Sequence, residues 1–233
     1  MKKKVLKIIG IIFAAILYIV LTFFIIIGYI MYQDSFANNH LEYYNNLIEN
    51  IVLKENINII HKPANEYITF KELKIRNDFK DFTKKINEED STYITYQFED
   101  IPKKRLVTFE IEVYDETINA SYSSDFLEKY SIKNDIDYIN VLKNYHFKET
   151  KYNYKKLLEN DDAITGAEYF SDEGTYYNII EGDYIGLIIN EEYSSEKIVY
   201  LYKNNKTYVL RFYGFGYFTN EQIYDLISTV IIE

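Results

Sequence analysis

The hydrophobic pattern starts with an unbroken apolar stretch, residues 8–32, that contains no charged residue. A helix of about 20 apolar residues crosses a bilayer core, so this stretch is long enough to span one. The first charge after it is Asp34, and the charges before it are all lysines: Lys2, Lys3, Lys4 and Lys7. The positive-inside rule therefore predicts a basic cytoplasmic tail at 1–7, a single transmembrane anchor at 8–32 and an extracytoplasmic remainder.

A cleaved signal peptide is the alternative, because Ser35-Phe36-Ala37 has the small-x-small pattern of a cleavage site. The apolar core of a signal peptide holds only about 7–15 residues, and this stretch is longer. The length therefore favours an uncleaved anchor in the cell membrane.

A helical pattern follows the anchor. Apolar residues recur at spacings of three and four, and they predict a juxtamembrane helix over residues 33–56: Leu41, Tyr44, Ile48 and Ile51. The same positions fit a short heptad, so one alternative is a parallel dimer stalk. Fewer than three heptads are present, and packing against the chain's own domain is favoured.

Two later segments alternate between apolar and polar residues. One carries Thr92, Ile94, Tyr96 and Phe98, and the other carries Val107, Phe109, Ile111 and Val113. A period of two with one wet face indicates an antiparallel sheet. Further strands are predicted at 57–61, 67–75, 118–122, 176–180 and 184–189. Asn204 and Asn205 predict a tight hairpin between 198–202 and 207–213.

The predicted helices lie at 78–87, across much of 124–160, and at the end of the chain. Ser124 is a candidate cap, and Thr219 with Gln222 forms a capping box for the last helix. Residues 161–174 are predicted to be an acidic loop. The fold class is thus a single N-terminal transmembrane helix followed by an extracytoplasmic α+β domain with a mainly antiparallel sheet. The domain at 57–233 is either one compact body or two lobes, 57–123 and 161–233, joined by helices in 124–160.

The composition narrows the range of functions that the chain can have. A formal net charge of −10 disfavours nucleic acid, and the absence of cysteine excludes thiol catalysis and thiolate zinc sites. The 26 tyrosines suggest either an aromatic surface for sugars or peptides, or a plain compositional bias, which is favoured.

The search for chemical motifs gives no catalytic, metal or cofactor site. His40, His61 and His146 lack metal-ligand spacing. Gly214-Phe215-Gly216 before a helix suggests a phosphate-binding turn, but its third glycine is missing, so a plain turn is favoured. The acidic segment does not follow the calcium-loop spacing, so a solvated loop is favoured over a calcium site: Asp161, Asp162, Glu168, Asp172 and Glu173.

One basic and aromatic segment departs from the acidic background. Its residues are predicted to bind an anionic envelope polymer or an acidic patch of a partner: Lys143, Lys148, Lys151, Tyr152, Tyr154, Lys155 and Lys156. The competing interpretation is a solvated helix face.

These patterns together predict a membrane-anchored, extracytoplasmic binding or assembly module that is not catalytic. A cell-envelope hydrolase is the competing hypothesis, and it requires a deep cleft that holds two convergent carboxylates, or a histidine with a carboxylate, with shifted pKa values. A sensor or accessory subunit of a membrane complex is the third.

Overall fold

The computed structural model describes residues 2–33, 40–86, 93–103, 105–116, 123–149, 153–191, 194–214 and 216–233. The chain divides into two compact units. The first comprises Met1–Asn46 with His146–Ile164, and the second comprises Leu47–Tyr145 with Thr165–Glu233.

The first unit begins with the long helix α1, Lys2–Gln33. Within the described ranges, α1 is the one helix long and apolar enough to cross a membrane, over Gly10–Tyr32, and a signal sequence has the same properties. The chain then enters α2, Leu41–Asn50. In this unit the ring of Tyr44 packs on that of Phe147 at 5.5 Å, and both side chains are buried.

The second unit contains an eight-stranded sheet and a three-stranded sheet. In chain order the strands are β1 Val52–Asn58, β2 Tyr67–Phe70, β3 Leu73–Arg76, β4 Thr83–Ile86, β5 Tyr93–Asp100, β6 Arg105–Tyr114, β7 Thr175–Glu181, β8 Ile185–Glu191, β9 Glu196–Lys203, β10 Lys206–Tyr213 and β11 Ile231–Ile232. The remaining helices are α3 Ser124–Tyr130, α4 Asp135–Lys143, α5 Tyr154–Phe170 and α6 Asn220–Ile227. The large sheet has the order β1-β7-β8-β9-β10-β6-β5-β4, and the small sheet has the order β11-β3-β2.

The large sheet has a core face and an opposite face, because side chains alternate along each strand. The core face is apolar and is covered by the small sheet and α6; its central row is Ile94, Ile111, Leu210, Val199 and Ile188. On the opposite face, Tyr177 of β7 packs on Phe170 at the end of α5. The hydroxyl of Tyr202 of β9 donates to the Asp135 carboxylate of α4 at 2.6 Å. That face also carries the buried apolar side chains of Leu187 and Val209, and towards β6 it becomes polar.

The structure confirms a mainly antiparallel sheet with helices, since β1–β7 is the one parallel pair among the described strands. The hairpin is also confirmed: Asn204 and Asn205 connect β9 to β10 with φ of 54° and 59°. This is the backbone that asparagine tolerates best after glycine. Thr219 and Gln222 form the predicted capping box of α6.

Several predicted boundaries are wrong. The helix expected over 33–56 is α2 alone within the described residues, because the chain from Val52 pairs with β7 and pairing overrides helical spacing. The strand expected at 57–61 therefore lies earlier, as β1. The strand expected at 67–75 is a hairpin, broken by Lys71 with φ of 50°. The cap of α3 is Ser123 and not Ser124.

Two predicted elements are of the wrong type. Residues 78–86 form a loop and strand β4 where a helix was predicted, and Phe79 is inward because it stacks on Phe109 at 4.1 Å. The acidic loop expected at 161–174 is helical to Phe170. Gly166 lies inside that helix, where only a glycine fits, because a Cβ at this position would be 1.9 Å from a ring carbon of Tyr138. The predicted strand at 118–122 and the cleavage site at Ala37 lie outside the described residues.

Candidate functional site

A cavity of about 280 Å³ opens at one end of the core face, beside α6. The buried rings of Phe79 and Phe212 form its floor, and the half-buried rings of Phe82, Tyr217 and Phe218 form its walls. Phe212 and Phe218 lie 5.2 Å apart and Phe82 and Tyr217 lie 6.3 Å apart, measured between ring centroids. This aromatic pocket can hold one large apolar group, because such pockets bury ligands mainly through their apolar lining.

The loop between β10 and α6 places two of these rings. Gly214 and Gly216 both have positive φ, 135° and 66°, and Tyr217 N–H donates to the Gly214 carbonyl at 2.9 Å. The chain therefore turns sharply after β10 and directs Tyr217 and Phe218 to the pocket. The turn interpretation of this glycine segment agrees with that geometry, and Phe215 lies outside the described residues.

Ion pairs line the mouth of the pocket. Arg76 binds Asp78 in a two-pronged arrangement, with both N–O distances 2.7 Å, and reaches Asp225 of α6 at 2.9 Å. Lys62 binds Asp225 at 2.6 Å. Hydrogen bonds from Lys62 and Arg76 lower the pKa of the Asp225 carboxyl. The mouth is thus charged but balanced, with two cations facing two carboxylates.

The pocket floor continues into a polar region along one row of the core face. Register aligns one residue from each of six strands in this row: Tyr176, Asn190, Lys197, Phe212, Phe109 and Tyr96. The row is aromatic at the β5 end and polar at the β8–β9 end. Its polar end lies by α6, because the ammonium of Lys197 donates to the Asn220 side chain and Asn178 donates to Tyr224 Oη at 2.8 Å.

A second polar cluster, the Arg211 cluster, lies on the opposite face and comprises Arg211, Glu110, Glu112, Glu196 and Thr95. Arg211 reaches Glu112 at 3.4 Å and Glu196 at 3.2 Å, and Thr95 donates to Glu110 at 3.4 Å. Burial and the neighbouring Glu112 raise the pKa of the Glu110 carboxyl.

Tyrosine hydroxyls complete the Arg211 cluster. Tyr114 donates to Glu112 at 2.8 Å, and burial together with the nearby Glu196 raises the pKa of Tyr213 to about 12. The cluster is therefore a network in which each carboxylate has a described partner.

The basic segment predicted from sequence is divided between the two units, with Lys143 in the second and Lys148, Lys155 and Lys156 in the first. The ammonium of Lys143 donates to the Ile51 carbonyl at 3.0 Å. Lys148, Lys155 and Lys156 are exposed. Lys151, Tyr152 and the side chain of Tyr154 lie outside the described part, so binding by this segment stays a prediction.

No group of three or more histidine, aspartate or glutamate side chains suited to a metal ion occurs among the described residues. The residues proposed for a calcium loop include three on helix α5, namely Asp161, Asp162 and Glu168, which do not form such a loop.

The sequence pattern does not indicate the pocket, because the spacing of Phe79 and Phe82 predicts a helix and the structure has a loop there. Asn178 and Asn190 were not predicted either, although a signal for them exists. Both are amides in or directly beside otherwise apolar strands, and both are buried.

Comparisons with known proteins add little. No protein-family model matches the chain, and no curated protein matches it. A crystal structure of a protein from Bacteroides thetaiotaomicron VPI-5482 is similar over 70% of this chain and 45% of that chain, with 10% identity and a TM-score of 0.33. This chain thus spans less than half of that protein, and a likeness at this level carries no argument about fold or function.

Proposed function

We propose that this chain is a single-pass membrane protein whose extracytoplasmic part is a non-catalytic binding or assembly module, with the aromatic pocket as its ligand site. The observation that carries the proposal is the pocket itself, a cavity of about 280 Å³ with aromatic walls and ion pairs at its mouth. Such a cavity fits an amphipathic group whose apolar body enters and whose polar end stays at the mouth.

The charges at the mouth support binding over hydrolysis. A carboxylate hydrolase needs one carboxyl with a raised pKa to act as the acid. In the pocket, both Asp78 and Asp225 bind Arg76, and the pKa of Asp225 is lowered. These carboxylates therefore suit the fixed charges of a binding site.

The competing hypothesis, an envelope hydrolase, is favoured by one observation. Glu110 has a raised pKa and lies two residues from Glu112 on the same face of β6. Replacement of Glu110 by glutamine would abolish such an activity. We favour structural roles for both carboxylates, because Glu110 and Glu112 accept hydrogen bonds from Thr95 and Tyr114.

The orientation is tested with protease on intact cells. The lysines before the apolar stretch support an N-terminus in the cytoplasm. External protease is expected to digest the domain and leave a small membrane-embedded fragment that carries an N-terminal tag. Full protection of the domain in intact cells, or release of a protein trimmed at Ala37 into the medium, contradicts the proposal.

The pocket is tested with p-cresol as an aromatic probe, titrated into the full chain in detergent micelles. Saturable binding is expected, and Tyr217→Ala is expected to weaken it about tenfold, since a lost aromatic contact is worth about 1.4 kcal/mol. Tyr43→Ala is the matched control, because Tyr43 is 53% exposed and does not line the pocket. Equal affinity in wild type and Tyr217→Ala would remove the pocket from the proposal.

A further inference from the structure

Two amides at the polar end of the core face are buried and incompletely bonded: Asn190 in the row described above and Asn178 in the neighbouring row. Asn190 is 2% exposed, and neither its oxygen nor its nitrogen has a hydrogen-bond partner within the described part of the chain. Asn178 is 3% exposed, and its oxygen likewise lacks one. Native proteins satisfy nearly all buried polar groups, so three such atoms together indicate that something else bonds to them.

A half-buried cation lies next to these amides. Lys197 is the register partner of Asn190 on the neighbouring strand β9, and it shares the core face with Asn190. Burial lowers the pKa of the Lys197 ammonium, and among described residues no carboxylate lies within ion-pair distance of it. Its side chain instead donates to Asn220, the first residue of α6. The charge is therefore available to an anionic group.

The N-terminal end of α6 adds partial positive charge beside Lys197. The capping box uses Gln222 N–H, which donates to Thr219. The helix dipole places partial positive charge at this end of α6, next to the Lys197 side chain. On the second turn, Tyr224 accepts from Asn178, so its own hydroxyl hydrogen remains to be donated.

From this juxtaposition we infer that Lys197, Asn190 and Asn178, with the first turn of α6, form a subsite for an ionised carboxylate that carries a hydrogen-bond donor on the adjacent atom. The carboxylate lies against the ammonium of Lys197, which has no ion-pair partner among the described residues, and against the helix end, whose first turn also carries Glu221. The adjacent donor bonds to the amide oxygens of Asn190 and Asn178. An α-hydroxy acid, an α-amino acid and the C-terminal residue of a peptide all share this chemistry.

The subsite lies beside the aromatic pocket, since Lys197 and Phe212 are register partners on β9 and β10. It is nevertheless a separate claim. Its probes contain no aromatic ring, so failure of p-cresol to bind and failure of these probes to bind are independent results.

The test is thermal unfolding of the full chain in detergent micelles with four small probes. Glycolate represents a free hydroxy acid, glycine a free amino acid and N-acetylglycine a peptide C-terminus, while acetate has the carboxylate without the adjacent donor. At least one of the first three is expected to raise the Tm in a saturable way, because a ligand that binds only the folded state stabilises it. Acetate is expected to raise the Tm less than the most effective of these three probes. The most effective probe identifies the source of the ligand.

Two variants assign the effect to these residues. Lys197→Met and Asn190→Leu keep the size of each side chain, and each is expected to weaken the effective probe about tenfold or more. Lys85→Met is the matched control, because Lys85 is exposed and lies on the opposite face of β4. Two variants are used so that the test survives if one does not fold.

Three outcomes overturn the inference. The first is the absence of any Tm change with glycolate, glycine and N-acetylglycine. The second is an equal response in wild type and in a folded Lys197→Met or Asn190→Leu protein. The third is an equal response to acetate, which removes the assigned ligand class.

Discussion

Two polar clusters lie on the two faces of the same sheet, and they differ in how completely they are bonded. In the Arg211 cluster, each carboxylate bonds to an arginine, threonine or tyrosine. In the core-face cluster of Asn178, Asn190 and Lys197, three amide atoms have no described partner and the cation has no described carboxylate. The core-face amides are the more deeply buried of the two sets, and yet they have the fewer hydrogen-bond partners.

The difference indicates different roles. A closed network of charges supports the fold, because removing one member leaves the others buried and unbalanced. An open cluster reduces stability, since each unbonded buried polar atom costs about 1–3 kcal/mol. A protein retains such a cost where a ligand compensates it. The comparison can be tested through stability, because the same kind of substitution should have opposite effects on the two faces.

The largest effect is expected for Arg211→Met. The substitution leaves Glu112 and Glu196 without their cation, and it should lower the free energy of unfolding by about 2–4 kcal/mol. Urea unfolding measures the change. Lys197→Met is the matched control on the core face, and it should change the free energy by less than about 1 kcal/mol because no described carboxylate depends on it. Equal losses in the two variants would show that the clusters do not differ in this way.

An opposite sign is expected for Asn190→Leu without added ligand. The leucine has a similar volume and no unbonded polar atoms, so the variant should unfold with a free energy about 1 kcal/mol higher than wild type. Thr95→Val is the corresponding change in the Arg211 cluster. It should lower the free energy by about 1 kcal/mol, because Glu110 loses its donor. A loss of stability in Asn190→Leu would mean that its amide is bonded within the fold.

The smallest effect concerns pH. The folded-state pKa of Glu110 lies above its ordinary value. As pH rises, the unfolded chain releases this proton first, so stability should fall with rising pH between the ordinary and the raised pKa. Glu110→Gln should reduce this fall. Urea unfolding at intervals from about pH 4 to pH 7 measures it. The same pH dependence in both proteins would assign it to other groups.

The sequence predicts some of these features well and others poorly, for physical reasons. Local chemistry fixes the Asn204-Asn205 turn and the Thr219–Gln222 capping box, and both appear as expected. The alternation of β5 and β6 also predicts which face is buried. The spacing of apolar residues predicts a helix through residue 56, but residues 52–58 form a strand. Their conformation is decided by pairing with β7, which lies far along the chain.

The candidate sites depend even more on distant contacts. Phe79 and Phe82 line a pocket only because the fold brings Phe212 of β10 and Phe218 before α6 close to them. Asn190 and Lys197 are seven residues apart along the chain, but register makes them neighbours across β8 and β9. No local spacing in the sequence carries that information.

The most direct measurement is nuclear magnetic resonance of the full chain with ¹⁵N-labelled asparagine side chains, titrated with glycolate, glycine and N-acetylglycine. The pair of side-chain amide signals absent from Asn190→Leu is assigned to Asn190. The account predicts that these signals shift in a saturable way with at least one of the three probes, and that Lys197→Met abolishes the shift. Signals of Asn190 that stay unchanged with all three probes at their highest concentration would contradict a ligand role for the core-face cluster.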